Sequence, residues 1–365
     1  MRCMRWVGSI GGICEGGCLK GNSLARTRSK RLARKRALKC RQRKNLKLRR
    51  AALRMLSEGI TVHAPRKILL ELRDEHFKLT NFLDELRRKC RGGETRVLID
   101  FSKTSQIIAG GGLLLYSELQ RLKDIFPRVR FMCRESCTNR INQVLQHLNI
   151  FRILGHQSRA VPRRPDVVSW RHARADDVDC TGAGKIIEAY ESLSRPVAKL
   201  LFKGASEAIT NAVMHAYDWG RDDGLPDPKR KNWWMFCRED DNVFYMSVCD
   251  LGVGIPNTLT AKNAEEILSV ILQKISFGAA PSDSQMIFGA MEYARTRTRK
   301  PQQGKGLMDL RKIIDQEGRG KLHVFSNRGC VIYDPVNGYS LFNYKNSIFG
   351  TLIVWSFPLV SGGAK

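Results

Sequence analysis

The sequence predicts an α/β protein built in two unequal parts behind a basic tail. Apolar runs of strand length alternate with helix-length amphipathic segments between residues 96 and 154. A second, longer series of strands and helices fills residues 186–365, and Lys and Arg crowd residues 1–60. The expected divisions are a basic, partly disordered tail at 1–60, a helical connector at 61–94, a small α/β domain at 95–156, a linker at 157–185 and a larger α/β domain at 186–365. Strands of the larger part follow one another in hairpins as well as through helices. A sandwich is therefore expected there, a mixed sheet covered by helices on one face and not doubly wound.

Composition narrows the function classes. The chain has 365 residues, 42% of them hydrophobic, which supports a sizeable core. No apolar run reaches the roughly 18 residues of a membrane helix, so no membrane span is expected. Eleven cysteines, odd in number and not grouped in paired spacings, predict a reduced, cytoplasmic protein. Cys14/Cys18 and Cys133/Cys137 are each C-x3-C without nearby Cys or His to complete a zinc site.

The formal charge of +28 is unevenly placed. Residues 1–60 hold 18 Lys and Arg against Glu15 and Glu58. From Arg26 to Arg54 there are 15 basic residues and no acid, interrupted by leucines such as Leu32, Leu38, Leu46 and Leu53, which predicts a basic, weakly amphipathic helix. Nucleic acid bound through residues 26–54 fits such a run, as does an anionic membrane surface. A solvated tail fits it too, and no interleaved aromatics point to base stacking. The Arg-rich, acid-poor start also has the composition of an organellar transit peptide, whereas a secretory h-region is absent.

Residues 66–90 carry Ile68, Leu69, Leu72, Phe77, Leu79, Phe82, Leu83 and Leu86, an apolar face at helical spacing. RGGE at 91–94 ends it. RVLIDF at 96–101 and VRFMC at 129–133 read as strands, each followed by a helix, at 110–126 and 139–154. The stretch LIDFSKTSQIIAGGG, with VLQHLNIFRILG at the end, resembles the STAS domain, the sulphate-transporter and anti-sigma-antagonist module. The resemblance covers about 95–156 and matches Asp100 to the strand end. In that family a serine in the following loop is phosphorylated; here its position falls at Ala109 or Gly110, and Ser102 and Ser105 are out of register. A docking or scaffold role is expected in place of a phosphoswitch.

The larger part is organised around residues 204–215. Glu207, Asn211 and His215 are spaced four and eight apart and share one face of a predicted helix. Polar groups in an otherwise Ala/Ile/Val/Met helix need partners, because burying them unpaired costs a few kcal/mol each; a metal ion with phosphates would supply them. A strand at 242–250 ends in Asp250, and Gly252 and Gly254 follow in DLGVGIP. GKGLMDLRKIIDQ at 304–316 is a glycine turn entering a helix, and KLHVFS at 321–326, VIYD at 331–334 and GTLIVWSF at 350–357 are further strands. Residues 257–303, with a helix in EEILSVILQKI, are the expected lid; Arg295, Arg297 and Arg299 within it are phosphate-contact candidates.

E-x3-N at 207–211, D-x-G-x-G at 250–254, GKGL at 304–307 and GT at 350–351 together resemble the GHKL superfamily of gyrase, heat-shock chaperone, histidine-kinase and MutL ATPases. EAITNAVMHAYD and GKGLMDLRKI look nearest to its anti-sigma-factor serine kinases. The resemblance implies ATP and Mg²⁺ as ligands, with Asn211 offering an amide oxygen to Mg²⁺ and Glu207 as the catalytic base. Asp250 would accept the adenine amino group, and Gly252 and Gly254 let the backbone approach. Gly304, Lys305 and Gly306 would face phosphate at a helix start, and Thr351 the adenine side. His215 is expected to be structural.

No phosphoacceptor histidine motif precedes residue 204, and Leu251 stands where gyrase-type relatives carry Asn, which weighs against a self-contained histidine kinase or a topoisomerase. The expected function is an ATP·Mg-binding ATPase or serine/threonine kinase acting on a partner protein in bacterial regulation, with a homodimer as a further option. The alternatives are a non-catalytic, nucleotide-gated interaction protein and a nucleic-acid-associated ATPase that uses the tail.

Overall fold

The computed structural model describes residues 59–227, 229–262, 281–296 and 306–359, besides Lys39, Arg41 and Gln42. The chain divides into Met1–Glu58 and Gly59–Lys365, and the account below concerns the second unit. Of the expected helix of the basic tail only Lys39, Arg41 and Gln42 are described, as helical, and the helix in EEILSVILQKI lies outside the described residues, as do Gly304, Lys305, Arg297 and Arg299.

The unit begins with β1 (Ile60–His63), the short β2 (Lys67–Ile68), α1 (Arg73–Arg91), β3 (Arg96–Asp100), β4 (Gln106–Ile107), α2 (Ala109–Ile125) and β5 (Arg130–Arg134). β1, β3 and β5 pair in parallel in that order, with Ile60 level with Val97 and Val97 with Phe131. Parallel neighbours need crossovers, and α1 and α2 supply them. The predicted helix at 139–154 is split into α3 (Asn139–His147) and α4 (Ile150–Ile153), because Asn149 adopts φ 58 between them. Likewise the predicted 66–90 helix starts only at Arg73, since Lys67 and Ile68 pair with β4.

The stretch expected to be a linker contributes α5 (Pro165–Val168), β6 (Arg171–Ala175) and the start of α6 (Thr181–Glu188). The long α7 (Arg195–His215) follows, then β7 (Trp233–Asp240), β8 (Val243–Asp250), α8 (Ile255–Lys262), α9 (Asp283–Thr296), α10 (Gly306–Glu317), β9 (Lys321–Ser326), β10 (Gly329–Asp334), β11 (Gly338–Asn343) and β12 (Thr351–Pro358). The strands from β6 onward form one antiparallel seven-stranded sheet, in the order β11-β10-β9-β12-β8-β7-β6.

This sheet is buried on both faces. Trp233, Met235 and Cys237 point to one face, where Ile187, Leu201, Ile209, Ile287, Leu310 and Ile314 of α6, α7, α9 and α10 cover them. Trp234 and Phe236 point to the other, as the two-residue strand period requires. The expectations of a mixed sheet and of helices on one face alone are therefore both corrected, since every pairing in this sheet is antiparallel. Residues of α2 (Leu113, Leu114, Leu115) share a continuous core with Trp234, Phe236, Cys249, Leu352 and Val354. The glycine run at the start of α2 permits this approach: a Cβ on Gly111 would stand 2.6 Å from the Ile68 carbonyl oxygen, and one on Gly110 3.1 Å from Val354 Cγ2. Ala109 and Gly110, which hold the expected phosphoacceptor position, are buried in that contact. Among the described residues no helix is long and apolar enough to cross a membrane.

Candidate functional site

The site forms where α7 crosses the ends of the central strands. On α7, Val197, Leu201, Ala205, Ala208, Ile209 and Ala212 recur at helical spacing and are buried against the sheet. Asn211 and Glu207 flank that stripe, half-buried, and His215 is exposed one turn beyond. Opposite them, three strands end in polar residues at one level: Thr351 is the register partner of Asp250 on β8 and of Ser326 on β9. Trp233 is level with Asp250 and belongs to the α7 side of the sheet, so the strand period turns all three polar side chains toward α7.

These three are joined. The Asp250 carboxylate takes two backbone donors on Oδ1, from Gly252 N–H at 2.9 Å and Thr351 N–H at 3.3 Å. The Ser326 and Thr351 hydroxyls lie 3.1 Å apart, and Ser326 Oγ accepts the Ile255 N–H at 2.8 Å. Burial pushes the Asp250 carboxyl up from 3.8 to about 6, against the lowering effect of those N–H groups and of Arg221. It is the only site carboxylate that sits fully inside a wall of this kind among the described residues, and a ligand donor would suit its charged form.

The fold brings Asn211, His215, Asp250, Gly254 and Thr351 to one cavity of about 140 Å³, closed by Ala208, Ile255, Leu259 and Ile353. Pockets for drug-sized molecules run to about 300–1,000 Å³, so this space suits one ring system. Glu207 stands one helical turn before Asn211 and is not among the residues lining it. Gly306 is the first residue of α10, which packs along α7.

The glycines of the loop after β8 have structural causes. A Cβ on Gly252 would stand 2.0 Å from the Ala216 carbonyl oxygen, where α7 ends. Gly254 has φ +81, in the left-handed region that favours glycine. The loop is pinned by the Val253 N–H on the Ala216 carbonyl at 2.8 Å and by the Asn327 amide on the Val253 carbonyl at 2.8 Å. The Tyr217 hydroxyl accepts the Leu251 N–H at 3.0 Å and donates to the Asn232 carbonyl.

Sequence reasoning missed Ser326, Asn327 and Tyr217 as site residues, and read Gly350 only as part of the GT motif at 350–351. Gly350 has φ +147, and a Cβ there would stand 2.3 Å from the Asp250 carbonyl oxygen. The available signal was the level of strand ends, which needs the strand pairing to be known. Among the described residues no group of three or more His, Cys, Asp or Glu side chains is placed to hold a metal. A magnesium ion here would rest mostly on phosphate oxygens with Asn211 as the protein ligand, the manner in which Mg²⁺ is usually held beside nucleotides. No family model matches the chain, and no curated protein is significantly similar to it.

Proposed function

We propose that the chain binds Mg·ATP in the cavity between α7 and the ends of β8 and β12, as a GHKL-type ATPase or protein kinase. The observation that carries this reading is the convergence of Asn211, Asp250, Gly254 and Thr351, from three separated motifs, on one ring-sized cavity. Asp250 accepts the adenine amino group, which separates adenine from guanine, since guanine presents a carbonyl there. Thr351, hydrogen-bonded alongside, fixes the same edge. Asn211 holds the metal, which would neutralise phosphate charge, and Glu207 one turn earlier takes the proton of the attacking water or hydroxyl. Helices α7, α9 and α10 on one face of an antiparallel sheet support a sandwich of the GHKL type, and the β1–α4 part is read as its STAS-like docking module.

The test is a calorimetric titration of the full chain with ATP and Mg²⁺. Saturable binding, weakened at least tenfold in Asn211→Ala, is the expected result; absence of ATP binding would end the reading. A hydrolysis and phosphotransfer assay then decides the reaction. Turnover lost in Glu207→Ala with binding retained supports the base. Tight binding without turnover in the unaltered chain makes it a nucleotide-gated interaction protein instead.

A further inference from the structure

A second cavity, of about 600 Å³, lies against the α2-covered face of the large sheet. Its size falls within the range of small-molecule sites. Trp234 and Leu251, both buried, form its apolar floor, with Ile125 at the end of α2 beside them. The indole N–H of Trp234 is already used, on Gln120 Oε1 at 3.0 Å, and the Arg174 guanidinium lies over the ring, 5.8 Å from its centroid.

Charge around this cavity is unbalanced. Arg121, Arg174, Lys229 and Arg230 line it against Asp124 and Asp227. Arg174 is bound to Asp124 at 3.3 Å and to Asn232 Oδ1 at 3.1 Å, and Arg230 to Asp176 at 3.5 Å. Arg121 is buried, at 3% exposure. It gives Nη1 to Asp223 at 2.7 Å and Nη2 to the Pro226 carbonyl at 3.4 Å. Its Nε–H, also buried, meets no acceptor among the described residues. A buried charged donor left without an acceptor is costly and rare, and it marks where an acceptor belongs.

We propose that this cavity is a binding site for a small anion with a flat apolar body. The ring lies along Trp234 and Leu251, and a carboxylate or phosphate oxygen accepts the Arg121 Nε–H, with Lys229 at the mouth drawing the charge in. The site is separate from the nucleotide cavity and does not depend on that reading.

Benzoate and phenyl phosphate, titrated calorimetrically into the full chain without nucleotide, test the two anion sources separately. Saturable binding of either at one site per chain is expected, and the tighter probe reports the preferred anionic group. Ile125→Trp, which fills the cavity from its half-buried edge, should weaken that binding at least tenfold with the melting temperature held. Arg121→Gln removes the donor and should also weaken it about tenfold or more, the loss of one charged hydrogen bond. Saturable binding of neither probe overturns the proposal. So does a folded Ile125→Trp protein that binds as the unaltered chain does, a result that stands even if Arg121→Gln fails to fold.

Discussion

Arg221 donates a hydrogen bond from Nη1 to the main-chain carbonyl of Phe349, 2.6 Å away. Thr351, two residues on, enters the strand that walls the cavity beside α7. The same guanidinium also bonds Glu118 of α2 and Asp223, the latter at 2.6 Å, while Arg87 reaches Glu118 at 2.7 Å. Burial works to raise the Glu118 carboxyl, but Arg221, Arg87 and Arg121 outweigh it and hold the group well below the usual carboxylate range. One buried cation thus ties the turn before β12 to the helix on the far face of the sheet. Breaking such a cluster strands its remaining charges, at a cost of about 3–5 kcal/mol. Arg221→Met is expected to lose that much unfolding free energy, read from the denaturant midpoint at constant slope. A loss under about 1 kcal/mol would put the cluster in the class of exposed pairs.

Where the sequence carried a local signal, it was legible. Strands ending in Asp250 or beginning at Thr351 were visible as apolar runs bounded by glycine, and the Glu207–Asn211 face as a four-residue spacing. β6 was hidden because RHARA is an edge strand of half-exposed, largely basic residues, with no apolar alternation to read. β7 was missed for the opposite reason: WWMFC is buried on both faces and shows no period. The glycines at the start of α2 read only as the entry to a helix, whereas Gly110, where a Cβ would stand 3.1 Å from Val354 Cγ2, lets α2 reach the sheet. Ser326 joined the site only through its register with Thr351, a long-range fact that no local pattern encodes.

Gly252 separates packing from ligand approach. A Cβ there would meet the Ala216 carbonyl oxygen at 2.0 Å and its carbon at 2.5 Å, main-chain atoms that have no rotamer to swing aside. Gly252→Ala must therefore shift the end of α7 or the loop after β8. The expected loss is about 1–3 kcal/mol in nucleotide-free protein. Thermal melting without ATP checks it. An unchanged melt with weakened ATP binding would instead assign the glycine to the ligand.

Asp250→Asn should pull stability and binding in opposite directions. The carboxylate is buried and its pKa stands at about 6 against 3.8, so its ionised form is disfavoured in the native protein. That difference corresponds to about 3 kcal/mol, the upper bound on what the neutral amide regains near pH 8. Asn keeps an oxygen to accept the Gly252 and Thr351 N–H groups. ATP affinity, by contrast, should fall about 10–100-fold with the loss of a charge-assisted acceptor for the adenine amino group. Denaturant titration and calorimetry on one preparation read both. A variant that melts higher and still binds ATP normally would remove Asp250 from base recognition.

The same carboxyl sets a pH profile whose sign can be worked out. Between 3.8 and about 6 the native state holds a proton that the unfolded chain has released. Asp250 therefore makes stability decline as pH rises through that window and adds no further slope above it. Binding runs the other way, because an amino donor needs the ionised oxygen. ATP affinity should rise with pH and level off above 6, and at about pH 5 it should be roughly tenfold weaker than at about pH 7. His215 lines the same cavity, so the control is Asp250→Asn, whose affinity should be flat across the range. A slope that survives in the variant belongs to another group, and a flat profile in the unaltered chain means that no ligand donor meets this carboxylate.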